Sequence, residues 1–215
     1  MTNPHPLPPE YVALATERAT ARPRDHKQPE EFGYDFREWV SPYTKGAHFC
    51  GGFALVLQDW ASTEGLEAGF DQEIQRHGRD VSLRTNVRLE QLLSSVLGVS
   101  LSEVYATNAF PFIKKGAMDA RLRLREVVDT VRAFTVKELT IARPTVILAL
   151  GAMSYLALQR AGISCVRLPH PAARIGGIAA HEHAWRKALS TAHIDVRPPQ
   201  NAQNGGDVQS NNALP

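Results

Sequence analysis

Apolar residues fall along this chain in two alternating rhythms. Gly52 to Leu57 is a short continuous apolar run, bounded by glycines before it and by Gln58-Asp59 after it, as expected of a strand buried on both faces. Val87 to Val96 instead sets Leu89, Leu92, Leu93 and Val96 at helical spacing and is closed by Gly98, which predicts a helix. Glu103 to Thr107 reads as a second strand ending at Asn108. Between Ala120 and Ile141 the residues Leu124, Val127, Val128, Val131 and Phe134 recur every three or four positions, with Arg121, Arg125, Asp129 and Arg132 elsewhere on the cylinder; this is the clearest amphipathic helix of the chain. Thr145 to Leu150 predicts a third strand, Gly151 a turn, Ala152 to Arg160 a helix, Ser164 to Leu168 a fourth strand and Glu182 to Thr191 a last helix.

That order predicts the α/β class: a single domain with a four-stranded parallel sheet flanked by helices on both faces. The strand ends then offer Asp59, Asn108, Gly151 and His170 to one crevice, where open parallel sheets gather their functional side chains. A chain of 215 residues with 43% hydrophobic content supports one well-packed core. The domain is expected over residues 30–197. Residues 1–29, rich in Pro, Arg, Thr and Glu, read as a loosely attached arm in which Pro9 to Thr20 could close into a short helix. Residues 198–215 are polar and rich in Gly and Asn, a composition that buries too little apolar surface to offset chain entropy, so this tail is expected to be disordered.

Composition narrows the function classes. The formal charge is only +2, from 24 basic against 22 acidic residues, so any contact with a polyanion must come from a local patch. Two cysteines, Cys50 and Cys165, cannot supply an iron–sulfur cluster or an all-cysteine zinc site and read as buried, reduced thiols. The longest strongly apolar run, Val146 to Met153, is far short of a membrane span, and the Pro-rich start carries no apolar leader pattern, so a soluble cytoplasmic protein is expected.

Each candidate side chain has a chemical and a plain interpretation. Asp59 can act as a base or as an anion that stabilises a developing cation; Asp is also a preferred helix cap after a βα turn. Asn108 presents a donor and an acceptor in one plane, matching a nucleobase edge, although an Asx-turn before Pro111 uses the same residue type. His170 sits between Pro169 and Pro171 on a stiffened loop, where it is either a positioned acid–base group or a partly exposed loop histidine. The loop Ala172 to Gly177 joins small residues to Arg174 and Ile175, fit for pressing backbone N–H groups on phosphate and wedging a duplex. His181-Glu182-His183 has the wrong spacing for a helical metal pair. Lys114, Lys115, Arg121, Arg123 and Arg125 read as a solvated basic face with some attraction for phosphate, and Phe110 and Phe112 as core.

These residues, in this order, resemble the uracil-DNA glycosylase superfamily over about Phe53 to Leu189. Val56-Leu57-Gln58-Asp59 is similar to its first motif, Thr107-Asn108-Ala109 to the segment whose Asn reads the uracil edge, and Leu168-Pro169-His170-Pro171-Ala172 to its His-Pro-Ser motif; Val146 to Gly151 resembles the strand and glycine between them. The resemblance implies a three-layer sandwich that flips uracil out of single- or double-stranded DNA and hydrolyses its glycosidic bond, leaving an abasic site in base excision repair. It implies Asp59 as the carboxylate that stabilises the sugar cation and orients water, and His170 as the donor to uracil O2. Gln58, Phe70 and Asn108 would hold the base, with Phe70 as the stacking platform, and Ser62, Ala172, Arg174 and Ile175 would contact DNA. It implies no cofactor or metal and a monomer whose partner is DNA.

The chain departs from the best-known branch at Leu57 before Gln-Asp and at Trp60-Ala61-Ser62 after it. The tyrosine that excludes the thymine methyl is replaced by Ala61, and the serine of His-Pro-Ser by Ala172. A broader mismatch glycosylase acting on thymine, hypoxanthine or xanthine is therefore an alternative, as is a non-catalytic nucleotide- or DNA-binding protein of the same fold.

Overall fold

The computed structural model describes residues 8–37, 39, 41 and 51–194. Four strands, β1 (Phe53–Asp59), β2 (Tyr105–Phe110), β3 (Val146–Leu150) and β4 (Val166–Leu168), form one sheet in the order β2-β1-β3-β4, every pair parallel. Because side chains alternate across a strand, each face needs its own cover. Ala54 and Val56 of β1, with Tyr105 and Ala149, enter one core with α4 (Leu124–Thr130), α5 (Val136–Ala142) and α6 (Gly151–Arg160). Leu55 of β1, with Ala106, Leu148, Leu150 and Leu168, enters the other with α3 (Arg84–Leu92) and α7 (Ile178–Thr191). The protein is thus an α/β three-layer sandwich.

The elements differ from the sequence reading mainly at their ends. β1 runs on to include Asp59, and β2 runs from Tyr105 to Phe110, so that Asn108 lies within the strand, paired in register with Leu57. The long amphipathic segment is helical from Leu124 to Ala142, with a π-helical turn at Val131–Thr135 between α4 and α5. The last helix begins at Ile178, one turn earlier than the apolar pattern indicated, directly after the small-residue loop. A short helix, α2 (Gln72–His77), capped by the Asp71 side chain, has too few apolar positions to be read from periodicity.

The expected loose arm is instead part of the fold from residue 8 onward. Helix α1 (Pro9–Thr20) lays Tyr11 and Leu14 into the first core, and its Arg18 forms an ion pair with Glu138 of α5 at 2.9 Å. The side-chain amide of Gln28 donates to the carbonyls of Arg18 and Ala21, and Lys27 exchanges backbone hydrogen bonds with Ile113. The physical reason is periodicity: Tyr11, Leu14, Ala15 and Arg18 share one buried face of α1 despite the polar composition around them. Residues 1–7, the tail read at 198–215 and Cys50 lie outside the described residues. Cys165 is a free, half-buried thiol, and burial pushes its pKa up. Among the described residues, no helix is long and apolar enough to cross a membrane.

Candidate active site

Strand ends of a parallel sheet converge, and here they open on a cavity of about 590 Å³ lined by Gln58, Asp59, Asn108, His170 and Ala172 together. Its remaining walls come from the segment after β1, from α2 and α3 and from the loop after β2, with Leu66, Leu83, Leu89 and Met118 as apolar surface.

Asp59 is not a helix cap. The Gln58 side chain donates to Asp59 Oδ1 at 2.7 Å, and Lys114 Nζ lies 2.8 Å from Oδ2. The side chains of Lys114 and Asp59 are only 5% and 10% exposed, so Lys114 does not belong to the solvated basic face on which its sequence neighbours placed it. Its backbone N–H donates to Ala61 O and its carbonyl accepts from Thr63 N, which turns the ammonium inward, where it also donates to Met118 O at 2.6 Å.

Asn108 is 2% exposed. With the amide oriented so that each end meets a complementary partner, its oxygen accepts from the Trp60 N–H at 3.2 Å and its nitrogen donates to Thr107 O at 3.3 Å. Those bonds fix the plane of the amide while using one donor and one lone pair, leaving one of each uncommitted.

His170 follows β4 and packs on Gly151, whose φ of +87° opens α6; a Cβ on that glycine would stand 3.4 Å from His170 Cβ. Both the backbone conformation and the close approach therefore require glycine. The Ala172 N–H donates to His170 Nδ1 at 3.1 Å. A backbone N–H can only donate, so the neutral ring carries its proton on Nε2. Burial is the main cause that pushes the His170 pKa below its ordinary value, opposed by the Asp59 charge and aided by His181 and Lys114. The imidazole is thus a neutral hydrogen-bond donor at pH 7.

The loop after His170 is held by a ladder of side chains. Trp185 Nε1 donates to Pro169 O at 2.9 Å, Arg88 Nη1 donates to Pro171 O at 2.6 Å, and His181 Nε2 lies 3.1 Å from Ala173 O. Three alternate carbonyls are bound from α3 and α7, while Arg174 and Ile175 beyond them are exposed. His181 is fully buried, so it is a structural clamp; among the described residues no group of three or more His, Cys, Asp or Glu is arranged to hold a metal ion. Sequence reasoning missed Arg88, Trp185 and Lys114, since each acts across distant parts of the chain.

Two expected residues stand elsewhere. Phe70 is 52% exposed and packs on Tyr34, with ring centroids 5.2 Å apart, and on Gly33; it is absent from the cavity wall, where Leu66 and Trp60 stand instead. A short helical turn at Glu64–Leu66 lies between Asp59 and Phe70, and a count of residues from the carboxylate carries no information on where the chain leads after such a turn. Ser62 is fully buried, its hydroxyl accepting from Gly65 N at 3.1 Å, and offers no surface to DNA. Ala61 lines the cavity, as its small side chain implied. A scan against models of known protein families finds none that matches this chain, and a search of curated proteins finds no significant match.

Proposed function

We propose that this protein is a DNA repair glycosylase that flips uracil from DNA and hydrolyses its N-glycosidic bond, leaving an abasic site. The observation that carries this is the convergence on one cavity of a buried carboxylate, a plane-fixed amide and a neutral imidazole with its proton on Nε2. A base within a duplex is out of reach of such a cavity, so the nucleotide must be extruded, at a cost of a few kcal/mol. The uncommitted N–H and lone pair of Asn108 match uracil O4 and N3–H, whereas cytosine reverses donor and acceptor there. As the glycosidic bond breaks, the sugar gains positive charge facing Asp59, and the base gains negative charge facing the His170 Nε2–H. A neutral donor suits this task, because it stabilises the leaving base without prior protonation of the imidazole. Ala172, Arg174 and Ile175 on the clamped loop would meet the DNA. The protein would act as a cytoplasmic monomer without a cofactor.

A wider range of bases is favoured by one observation. Ala61 lines the cavity together with Arg79, Asp80 and Asn86, and its methyl group fills less space than the tyrosine that the resemblance leads one to expect at that position. The deciding experiment incubates the protein with oligonucleotides carrying one uracil, thymine, hypoxanthine, xanthine or cytosine, followed by alkaline cleavage at abasic sites. Strand scission at uracil but not cytosine, lost in Asn108→Ala, is expected. Scission at thymine or the purines would assign the broader range, and binding without scission at any base would leave a non-catalytic DNA-binding protein.

A further inference from the structure

The long helix packed on β2 is widened midway by a π-helical turn, Val131–Thr135, which no step of the proposed reaction uses. We infer that Thr130 and Thr135, the residues that precede and close this turn, are positioning residues of Asn108: they hold the backbone that aims its amide into the cavity. The inference rests on the glycosylase reading for the purpose of the amide, but not for the geometry.

β2 is an edge strand, bonded to β1 and to no further strand among the described residues. Register with Leu57 fixes Asn108 from the β1 side. The rest of its support comes from the helix. Thr130 Oγ1 donates to Ala109 O at 2.7 Å, sharing its proton with Val127 O at 2.9 Å, and the fully buried Thr135 Oγ1 makes a longer contact of 3.5 Å with Asn108 O. A carbonyl moves with its whole peptide plane. Holding the plane that follows the Asn108 Cα, and the plane after that, therefore fixes the direction of the Asn108 Cα–Cβ bond. The bonds of the amide itself, to Thr107 O and from the Trp60 N–H, orient its plane on that bond.

The π-helical turn is what brings both threonines onto one strand. In an unbroken α-helix of 3.6 residues per turn, positions five apart diverge by about 140° around the axis. A π-helical turn closes its bonds between positions five apart, which sets Thr130 and Thr135 over each other. The second such turn, Leu93–Leu97, differs in kind: it ends its helix at Gly98, whose φ is +68°, and its buried residues are the apolar Leu93, Val96 and Leu97. The turn at Val131–Thr135 instead runs on into α5 and carries a hydroxyl at either end. No residue of α4, this turn or α5 lines the cavity. Any effect of these threonines on the reaction must pass through Asn108.

The test removes the hydroxyls and keeps the shape. Thr130→Val, Thr135→Val and the double variant are compared with Thr130→Ser and Thr135→Ser, which retain the donor. In the protein without DNA, the Asn108 side-chain amide protons can be followed by nitrogen-15 NMR and assigned by their loss in Asn108→Asp. They should exchange with water about tenfold faster in the double valine variant, as expected for the loss of two modest bonds. Single-turnover excision of uracil per folded molecule should fall in that variant by about the same factor. Both serine variants should match the wild type in both readouts. A merely structural role would lower stability and leave exchange and excision per folded molecule unmoved. Unchanged amide exchange in the folded double variant overturns the inference, as does a loss that the serine variants share, or, in a protein that excises uracil, an excision rate that does not follow the exchange. If the double variant folds poorly, the single valine variants carry the same comparison. Because amide exchange needs no substrate, a protein that excises nothing would refute the glycosylase reading while leaving the positioning role to be judged on its own.

Discussion

Two buried ion pairs lie on opposite faces of β2, and they put the same bond to different uses. Thr107 points to one face, where its hydroxyl donates to Glu138; its neighbour Asn108 points to the other, into the cavity beside Asp59. Below the sheet, Arg18 and Glu138 meet at 2.9 Å with side chains 5% and 1% exposed. Both Glu138 oxygens are consumed by protein donors, and burial pushes its carboxyl up to about 7 against the pull of Arg18, Thr107 and Tyr105. Above the sheet, Lys114 and Asp59 meet at 2.8 Å, but one side of their environment is the cavity. The closed pair can serve only the fold, tying α1 to α5. The open pair keeps a face toward whatever enters.

The largest expected effect breaks the closed pair. Arg18→Met strands a buried carboxylate and should cost about 3 kcal/mol of stability at pH 8, read by urea denaturation. Excision per folded molecule should be unchanged; a loss of activity without a loss of stability would erase the distinction between the two pairs.

The next effect needs no mutation. The folded-state pKa of Glu138 stands above that of an unfolded carboxyl, so between about 4.5 and about 7 the native protein holds a proton that the unfolded chain has released. This contribution is fully present below about 4.5 and is lost as pH rises through about 7. Over that window it amounts to on the order of 3 kcal/mol. Unfolding free energies measured from pH 4 to 8 should show the decline, and Glu138→Gln should remove it. A slope of the opposite sign would mean that the ion pair outweighs desolvation.

For the open pair, Asp59→Asn should slow single-turnover excision by about 10²-fold or more, as expected for a principal electrostatic group. The asparagine keeps an oxygen that can accept from Lys114, and the site borders water, so the loss of stability should be smaller than for Arg18→Met. Equal stability losses would show that both pairs are merely structural. The smallest effect belongs to Phe70→Ala, which should change excision less than about twofold, because the ring lies outside the cavity and a surface substitution disturbs little. A large drop would bring Phe70 back as a stacking group in a closed form of the site.

The frame of this site was legible because strands buried on both faces write themselves as short apolar runs, and the residue that ends each run is carried to the sheet edge. Asp59, Asn108 and His170 were found that way. What escaped the sequence was whatever depends on the return path of the chain. Lys114 sits beside Lys115 and near three arginines, and a linear charge pattern cannot say which cation folds inward. Phe70 was placed by residue count, which does not register its packing against Tyr34, a residue from the far side of β1 in sequence. The docking of α1 was hidden by averaging: the segment is polar overall, yet its few apolar residues share one face.

The clamp on the loop after His170 has a consequence in time. A flexible loop must find its shape at each encounter, and that search slows productive contact. Here the carbonyls of Pro169, Pro171 and Ala173 are anchored by Trp185, Arg88 and His181 as part of the native structure. Arg174 and Ile175 are therefore held out on a base that is already shaped. Any partner that meets them waits for its own rearrangement, and not for that of the protein.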